Sequence, residues 1–245
     1  AHNDAHGVHF LHRPVTAEEI RRHVEHLRYT DFSRLYWEAG SGDVMDYFTS
    51  IGRRRTYPGR DDFDREGDRL LAESWRELYR QGIDPFEVAL GHAHDIGLEF
   101  HASYRMGGFH FPPPHDHFNH GTSFYQFHPE LRGTDRNGNR TPRIAYTYPE
   151  TRRLVVSLFR EMAGFPIDGV CLLYNRRPPL VEYEPPLVEG FRSEFGEDPL
   201  RLPENDPRWL EFRARVLTQF MQELRDAMDA EADRQGRDSP FQVSA

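Results

Sequence analysis

Residues 98–106 (LEFHASYRM) and 168–179 (DGVCLLYNRRPP) are short apolar runs that each end in a burst of polar and aromatic side chains. A buried parallel strand looks like this when it hands functional groups from its carboxyl end into a loop. A stretch with helical spacing precedes each run, so the repeating unit is helix then strand. Thr16-Ala17-Glu18-Glu19 forms a capping box and predicts a helix over 17–28. Residues 31–38 read as a strand, 41–68 as loop, and 70–80 as an amphipathic helix stopped near Gly82. Asp84-Pro85 opens the next helix, with an N-cap followed by proline, and Gly97 closes it.

In the strand over 98–105 the alternation separates Leu98, Phe100, Ala102 and Tyr104 from Glu99, His101, Ser103 and Arg105. A polar face of that kind is costly against a helix unless paired, and comfortable lining a polar cavity. Residues 106–123 read as a Gly/Pro/His-rich loop, followed by a short helical stretch over 123–127. Asn137-Gly138 marks a hairpin tip between 130–134 and 143–148. Pro149 opens a helix to about residue 163, a strand follows over 169–174, and a proline-rich loop over 177–186 leads to a short helix ending at Gly196. The stripe Trp209, Phe212, Val216, Phe220 and Leu224 predicts a long helix over 207–234, and 241–245 begins another strand.

This order points to an α/β chain of (β/α)8 TIM-barrel type. Only three full strands and the start of a fourth can be counted, so the expectation is the N-terminal half of a barrel. The chain then forms one partial domain over 1–245, with 1–15 as a flexible start.

Composition narrows the chemistry. All 31 basic residues are arginine, which excludes a phosphate-binding P-loop lysine, a Schiff base and a pyridoxal-phosphate anchor. The single cysteine, Cys171, excludes an internal disulfide and a multi-cysteine zinc site. A net charge of -9 argues against nucleic acid as a partner. No apolar stretch approaches the roughly 20 residues that span a bilayer, so no membrane partner is expected. The chain starts at Ala1, so a secreted or periplasmic protein whose signal peptide is absent from this chain is one expectation of compartment. No cofactor is expected, and the oligomeric state is left open.

The segments HPELRGTDRNGN (128–139) and PRIAYTYPETRRLVVSLFREMAGFPIDGVCLLYNRRPP (142–179) resemble the bacterial glycosyl-hydrolase-like family 10, glycosidase-like proteins with a (β/α)8 barrel. The resemblance extends through FRSEFGEDP (191–199), the Trp209 helix and GLEFHASYRM (97–106). It implies hydrolysis of O-glycosidic bonds in a poly- or oligosaccharide at the carboxyl rim of the strands. One departure stands out: Leu173 occupies the place where the family's strand carries an aspartate before its tyrosine.

Glycoside hydrolysis uses two carboxyl groups. The rim carboxyls are Glu38, Asp43, Glu99, Glu182 and Glu184. Glu38 and His101 are the expected catalytic groups. Trp37, Asp43, Glu99, Arg105, Tyr174, Asn175 and Arg176 are the expected sugar contacts, with Glu38, His101 and Arg176 meeting in one polar bowl. Asp168, at the amino end of its strand, has the position of a structural residue. Two alternatives stay open. Leu173 favours a non-catalytic carbohydrate-binding or scaffold domain, and His110, His115, His117 and His120 favour a metal-dependent barrel hydrolase. The first reading requires no metal.

Overall fold

A computed structural model describes residues 1–11, 13–55, 63, 65–107, 124–174 and 179–245. The strands are β1 (His2–Asn3), β2 (Arg34–Ser41), β3 (Val44–Met45), β4 (Arg53–Arg54), β5 (Glu99–Arg105), β6 (Arg132–Thr134), β7 (Arg140–Ile144), β8 (Gly169–Leu173) and β9 (Gln242–Ser244). The α-helices are α1 (Gly7–Leu11), α2 (Ala17–Glu25), α3 (Glu66–Gln81), α4 (Pro85–Asp95), α5 (Phe124–Phe127), α6 (Pro149–Met162), α7 (Pro185–Phe195) and α8 (Pro207–Arg234).

One sheet runs β4-β3-β2-β5-β8-β9, with β1 also paired to β2. Every pairing in it is parallel except β2 with β3. The α2, α4, α6 and α8 helices bury their apolar stripes with one face of this sheet: Leu35, Trp37 and Ala39 of β2, Phe100, Ala102 and Tyr104 of β5, and Val170 and Leu172 of β8 share the core with Ile20, Phe86, Phe159, Phe220 and Met228. The sheet is the open arc of a TIM-barrel-like α/β fold, and among the described residues it does not close.

Local chemistry explains most of the helix boundaries. Thr16 accepts from Glu19 N at 3.2 Å, as a capping box does. Asp84 accepts from Phe86 N ahead of Pro85, and Gly82 ends α3 with a left-handed φ of 68°. β6 and β7 pair antiparallel around Asn137-Gly138.

Two regions differ from the expectation. The first residues are not a flexible start: β1 lies parallel to β2, the Ala1 amine donates to Arg34 O at 2.8 Å, and His9 is buried against Ser74 and the Trp75 ring. Two-residue strands have no readable period, which is also why β3 and β4 sit inside the stretch expected as loop.

The loop after β3 is tied to α6 by one carboxylate. Glu161 accepts from Tyr47 Oη (2.7 Å), Thr49 Oγ1 (2.5 Å), Ser50 N and Oγ (2.5 and 2.7 Å) and Ile51 N (3.1 Å). Burial opposes its ionisation, but the donors from Thr49, Ser50 and Tyr47 outweigh it and hold the carboxyl below its ordinary value. A depressed folded-state pKa stabilises the fold above the ordinary carboxylate pKa, and that stability is lost as pH falls through the folded value. Urea titrations of Glu161→Gln are therefore expected to show a deficit at pH 7 that shrinks toward pH 3; a deficit independent of pH would sink this account.

Gly169 is a second local requirement. A Cβ there would lie 2.6 Å from His101 Cε1 and 2.5 Å from Gln242 O, because the imidazole lies over β8 where that strand has no side chain. Gly169→Ala is expected to cost about 1–3 kcal/mol by overpacking, read as a lowered urea midpoint at unchanged m.

Candidate functional site at the carboxyl rim

The face of the sheet turned away from the helices carries Arg34, Tyr36 and Glu38 on β2 and Glu99, His101, Ser103 and Arg105 on β5. Its groups sort by height along the strands. At the amino end, Arg34 holds Glu99 (2.5 Å), Tyr36 Oη (3.3 Å) and Gln242 Oε1 (2.6 Å) in one network. Glu99 is thereby a structural ion-pair partner at the end opposite the rim. Asp168 sits at the same end, accepting from Phe100 N at 2.7 Å and facing His94 Nε2 at 2.9 Å, as its position implied.

His101 lies one residue pair higher, opposite Tyr36, whose ring meets it edge-on at 5.2 Å. It is 0% exposed, neither ring nitrogen has a hydrogen-bond partner, and Glu99 Oε2 stands 3.6 Å from Nε2. Burial, followed by the Arg34 charge, pushes its pKa down, so the ring is neutral at pH 7.

The rim itself gathers a tighter cluster. Glu38 pairs with Arg105 Nη2 at 2.6 Å. Asp46, just past β3, is gripped by Arg55, whose Nε and Nη2 donate to its two carboxylate oxygens, and faces His6 Nε2 at 3.5 Å. Donor atoms of His6, Glu38 and Asp46 all lie within 4.8 Å of one another, and each carboxyl is 1% exposed. Three pieces of chain meet here: the turn after β1, the end of β2, and the end of β3. Gly40 makes that possible. Its φ is +146°, and a Cβ would lie 2.5 Å from Val44 O, so only glycine lets β3 fold back so closely on β2.

The two carboxyls are pushed apart in acidity. Burial raises Glu38 to about 7, only partly offset by Arg105. Burial works against Asp46 too, but Arg55 and His6 overcome it and hold Asp46 far below the carboxylate range. At neutral pH the site offers one carboxyl carrying its proton for much of the time beside one that is always ionised. The spacing of His6, Glu38 and Asp46 could also hold a metal ion. The two guanidiniums already on those carboxylates supply the positive charge such an ion would bring.

The remaining expected contacts separate. Asp43 stays at the rim, where its Oδ2 accepts from Phe124 N at 2.8 Å. Trp37 does not line a polar surface: strand alternation turns it into the core beside Phe100, 1% exposed. Tyr174, two residues beyond Leu172, falls on the helix side, where its hydroxyl reaches Met221 Sδ at 3.6 Å. Glu184 is likewise structural, accepting from Thr147 Oγ1 and Glu182 N. Asn175, Arg176 and the histidines over 110–120 lie outside the described residues. That Arg105 shares the polar face of β5 was legible from alternation; its pairing with Glu38 was not, and His6, Asp46 and Arg55 were missed. Asp46 lies four residues past the Gly40–Gly42 turn in Gly-Asp-Val-Met-Asp, and a carboxylate so soon after a strand end was the available signal.

Comparison with solved structures bears on the fold. The chain superposes on α-L-fucosidase isoenzyme 2 from Paenibacillus thiaminolyticus with a TM-score of 0.60 at 14% identity, over 94% of this chain and 30% of that one. Looser matches include a hypothetical protein from Ruminiclostridium thermocellum (TM-score 0.45, 13% identity, 89% of this chain and 91% of that one). Another is the GH20 exo-β-N-acetylglucosaminidase from Vibrio harveyi (0.43, 12%, 89% and 33%), solved with N-acetylglucosamine. The fucosidase match shows a shared fold, and the chain spans less than a third of that protein. No family model matches the sequence, and no curated protein matches it. Among the described residues no helix is long and apolar enough to cross a membrane.

Proposed function

We propose that this chain carries the acid–base centre of a glycoside hydrolase of the glycosyl-hydrolase-like family 10 type, acting on a poly- or oligosaccharide. The observation that carries the reading is the Glu38–Asp46 pair: two carboxyls with opposed protonation, oxygens within 4.8 Å, at the carboxyl rim of a parallel sheet. Paired carboxyl groups about 5 Å apart belong to retaining hydrolysis. Glu38 gives its proton to the glycosidic oxygen as the bond to the anomeric carbon breaks; water then bonds through its oxygen to that carbon and passes a proton back to Glu38. Asp46 supplies the negative charge that faces the positive charge developing on that carbon.

Both carboxyls are closed from bulk water, so access runs past the partly exposed Arg105 and His6 side chains. Arg105 releases Glu38 and becomes a donor to a sugar hydroxyl. His101 offers two unsatisfied ring nitrogens to a hydroxyl reaching that depth. Reducing-sugar release from a polysaccharide panel, lost in Glu38→Gln, tests the reading. A second reading keeps a specific observation in its favour: with Leu173 where the family has an aspartate, sugar is bound without turnover. Binding that persists while no panel member is cleaved would decide for it.

A further inference from the structure

A cleft of about 210 Å³ opens at the same rim, bounded by Ile51, Arg53, Phe124, Phe127, His128 and Leu154. It is smaller than a drug-sized pocket and has room for a single sugar ring. Its apolar wall is largely aromatic: Phe127 is 69% exposed, and Phe124 packs on the His128 ring at 4.7 Å. An aromatic side chain left that open on a four-residue helix is not serving the core. The wall formed by 51–53 is fixed in place. Ile51 N donates to Glu161 at 3.1 Å, Arg53 pairs with Val44 of β3, and Gly52 is pressed so close that a Cβ would lie 2.9 Å from Asp43 O.

Arg53, Arg54 and Arg55 are consecutive, and two of them are committed. Arg55 grips Asp46. Arg54 donates to Thr49 O at 3.2 Å and stacks on Tyr79 and Phe48, 4.6 and 5.5 Å from the ring centroids. Arg53 is the free one: among the described residues nothing hydrogen-bonds or ion-pairs with its guanidinium. The acidic groups nearby are themselves engaged. Asp43 is 4% exposed and bonded through Oδ2 to Phe124 N, and Glu130 stands 2.9 Å from His128 Nδ1. What the cleft offers a ligand is therefore one free guanidinium beside an apolar, aromatic surface. A carboxylate matches the guanidinium fork edge to edge. A bare anion would leave the aromatic wall uncovered, and a neutral ring would make no use of the charge.

We infer that this cleft binds a sugar ring bearing a carboxylate, a uronate, with its C–H face on Phe127 and its carboxylate on Arg53. The inference rests on the carbohydrate reading of the rim and names the class of glycan, one that contains acidic sugars. The cleft and the carboxyl pair are close: Arg55, which grips Asp46, follows Arg53 by two residues, about 7 Å along extended chain. A uronate in the cleft and the bond to be cut at Glu38 can therefore belong to one oligosaccharide.

The test is binding, read at the cleft itself. In protein labelled with 13C at isoleucine methyls, the Ile51 signal (assigned with Ile51→Val) is followed against the methyl glycosides of glucuronate and galacturonate. Their neutral parents, methyl glucoside and methyl galactoside, isolate the carboxylate, and sodium acetate and sodium sulfate serve as bare anions. The expected result is a saturable Ile51 shift with at least one uronide, about tenfold or more tighter than with its neutral parent. Arg53→Ala should remove that preference, and Phe127→Ala should weaken uronide binding about tenfold, while the other isoleucine signals stay in place as the check on folding. An Ile51 signal unmoved by both uronides overturns the inference. So does a uronide that binds no tighter than its parent, a preference that survives Arg53→Ala, or a shift that acetate or sulfate reproduces at the same concentration. Glu38→Gln should keep the shift, which separates the two claims: hydrolysis without an Ile51 response removes the cleft alone, and an Ile51 response without hydrolysis removes the catalytic reading alone.

Discussion

Glu38→Gln is expected to lower reducing-sugar release by about 100-fold or more, the range lost when a general acid is removed. Glutamine keeps the size and the hydrogen-bonding edge of the side chain, so the change removes the transferable proton and little else. The pH dependence fixes the sign. Glu38 is the acid only while protonated, and burial holds its pKa at about 7, so the wild-type rate should fall as pH rises through that value. Stability should move oppositely in the variant. A carboxyl whose folded pKa is raised favours the fold below its ordinary pKa, and that contribution is lost as pH rises through 7. Glu38→Gln never pays the cost of ionising a buried group and should be the more stable protein at pH 9, by on the order of 3 kcal/mol. A variant that is inactive and also less stable at pH 9 would assign Glu38 to packing rather than to chemistry.

The alternation of Glu99, His101, Ser103 and Arg105 against Phe100, Ala102 and Tyr104 was legible in the sequence because a strand's period is fixed at two by its backbone. The same rule, applied to β2, turns Trp37 inward once Glu38 faces the rim; an aromatic beside a candidate acid is on the opposite face by construction. Capping residues at Thr16 and Asp84 were readable for a similar reason, since their chemistry acts within three residues. What could not be read was long-range: that residues 2–3 pair with β2, and that the turn after β3 places Asp46 beside Glu38. Two-residue strands carry no period, and their position is decided by partners far away in sequence. The separation of His101 from Glu38 was implicit in the spacing, since a group on β5 opposite Tyr36 cannot also stand opposite Glu38. Expecting both in one bowl treated a polar face as a single level, when successive pleats on one face lie about 7 Å apart.

Arg55→Ala is expected to destabilise the fold by about 3–5 kcal/mol, the cost of leaving one member of a buried ion pair alone. Asp46 is 1% exposed and its pair with Arg55 is nearly as enclosed, so water cannot take the place of the lost guanidinium. The exposed pair Arg80–Glu77 is the internal control: Arg80 is 71% exposed there, and Arg80→Ala should cost under about 1 kcal/mol. The loss at Arg55 should also depend on pH. With Arg55 present, Asp46 stays ionised far below the ordinary carboxylate range and stabilises the fold above it. Without Arg55, burial is the larger influence on Asp46 and pushes its pKa upward, so the deficit should be greatest at neutral pH and shrink as Asp46 takes a proton in acid. The double variant Arg55→Ala with Asp46→Asn should recover part of the stability at pH 7, since no charge is then stranded, while leaving the protein without the ionised partner of Glu38. Urea midpoints for the two singles and the double, at pH 7 and pH 4, measure the coupling directly. Additive losses at both pH values would mean that Arg55 and Asp46 do not act as a pair, and the opposed protonation of the rim carboxyls would lose its physical cause.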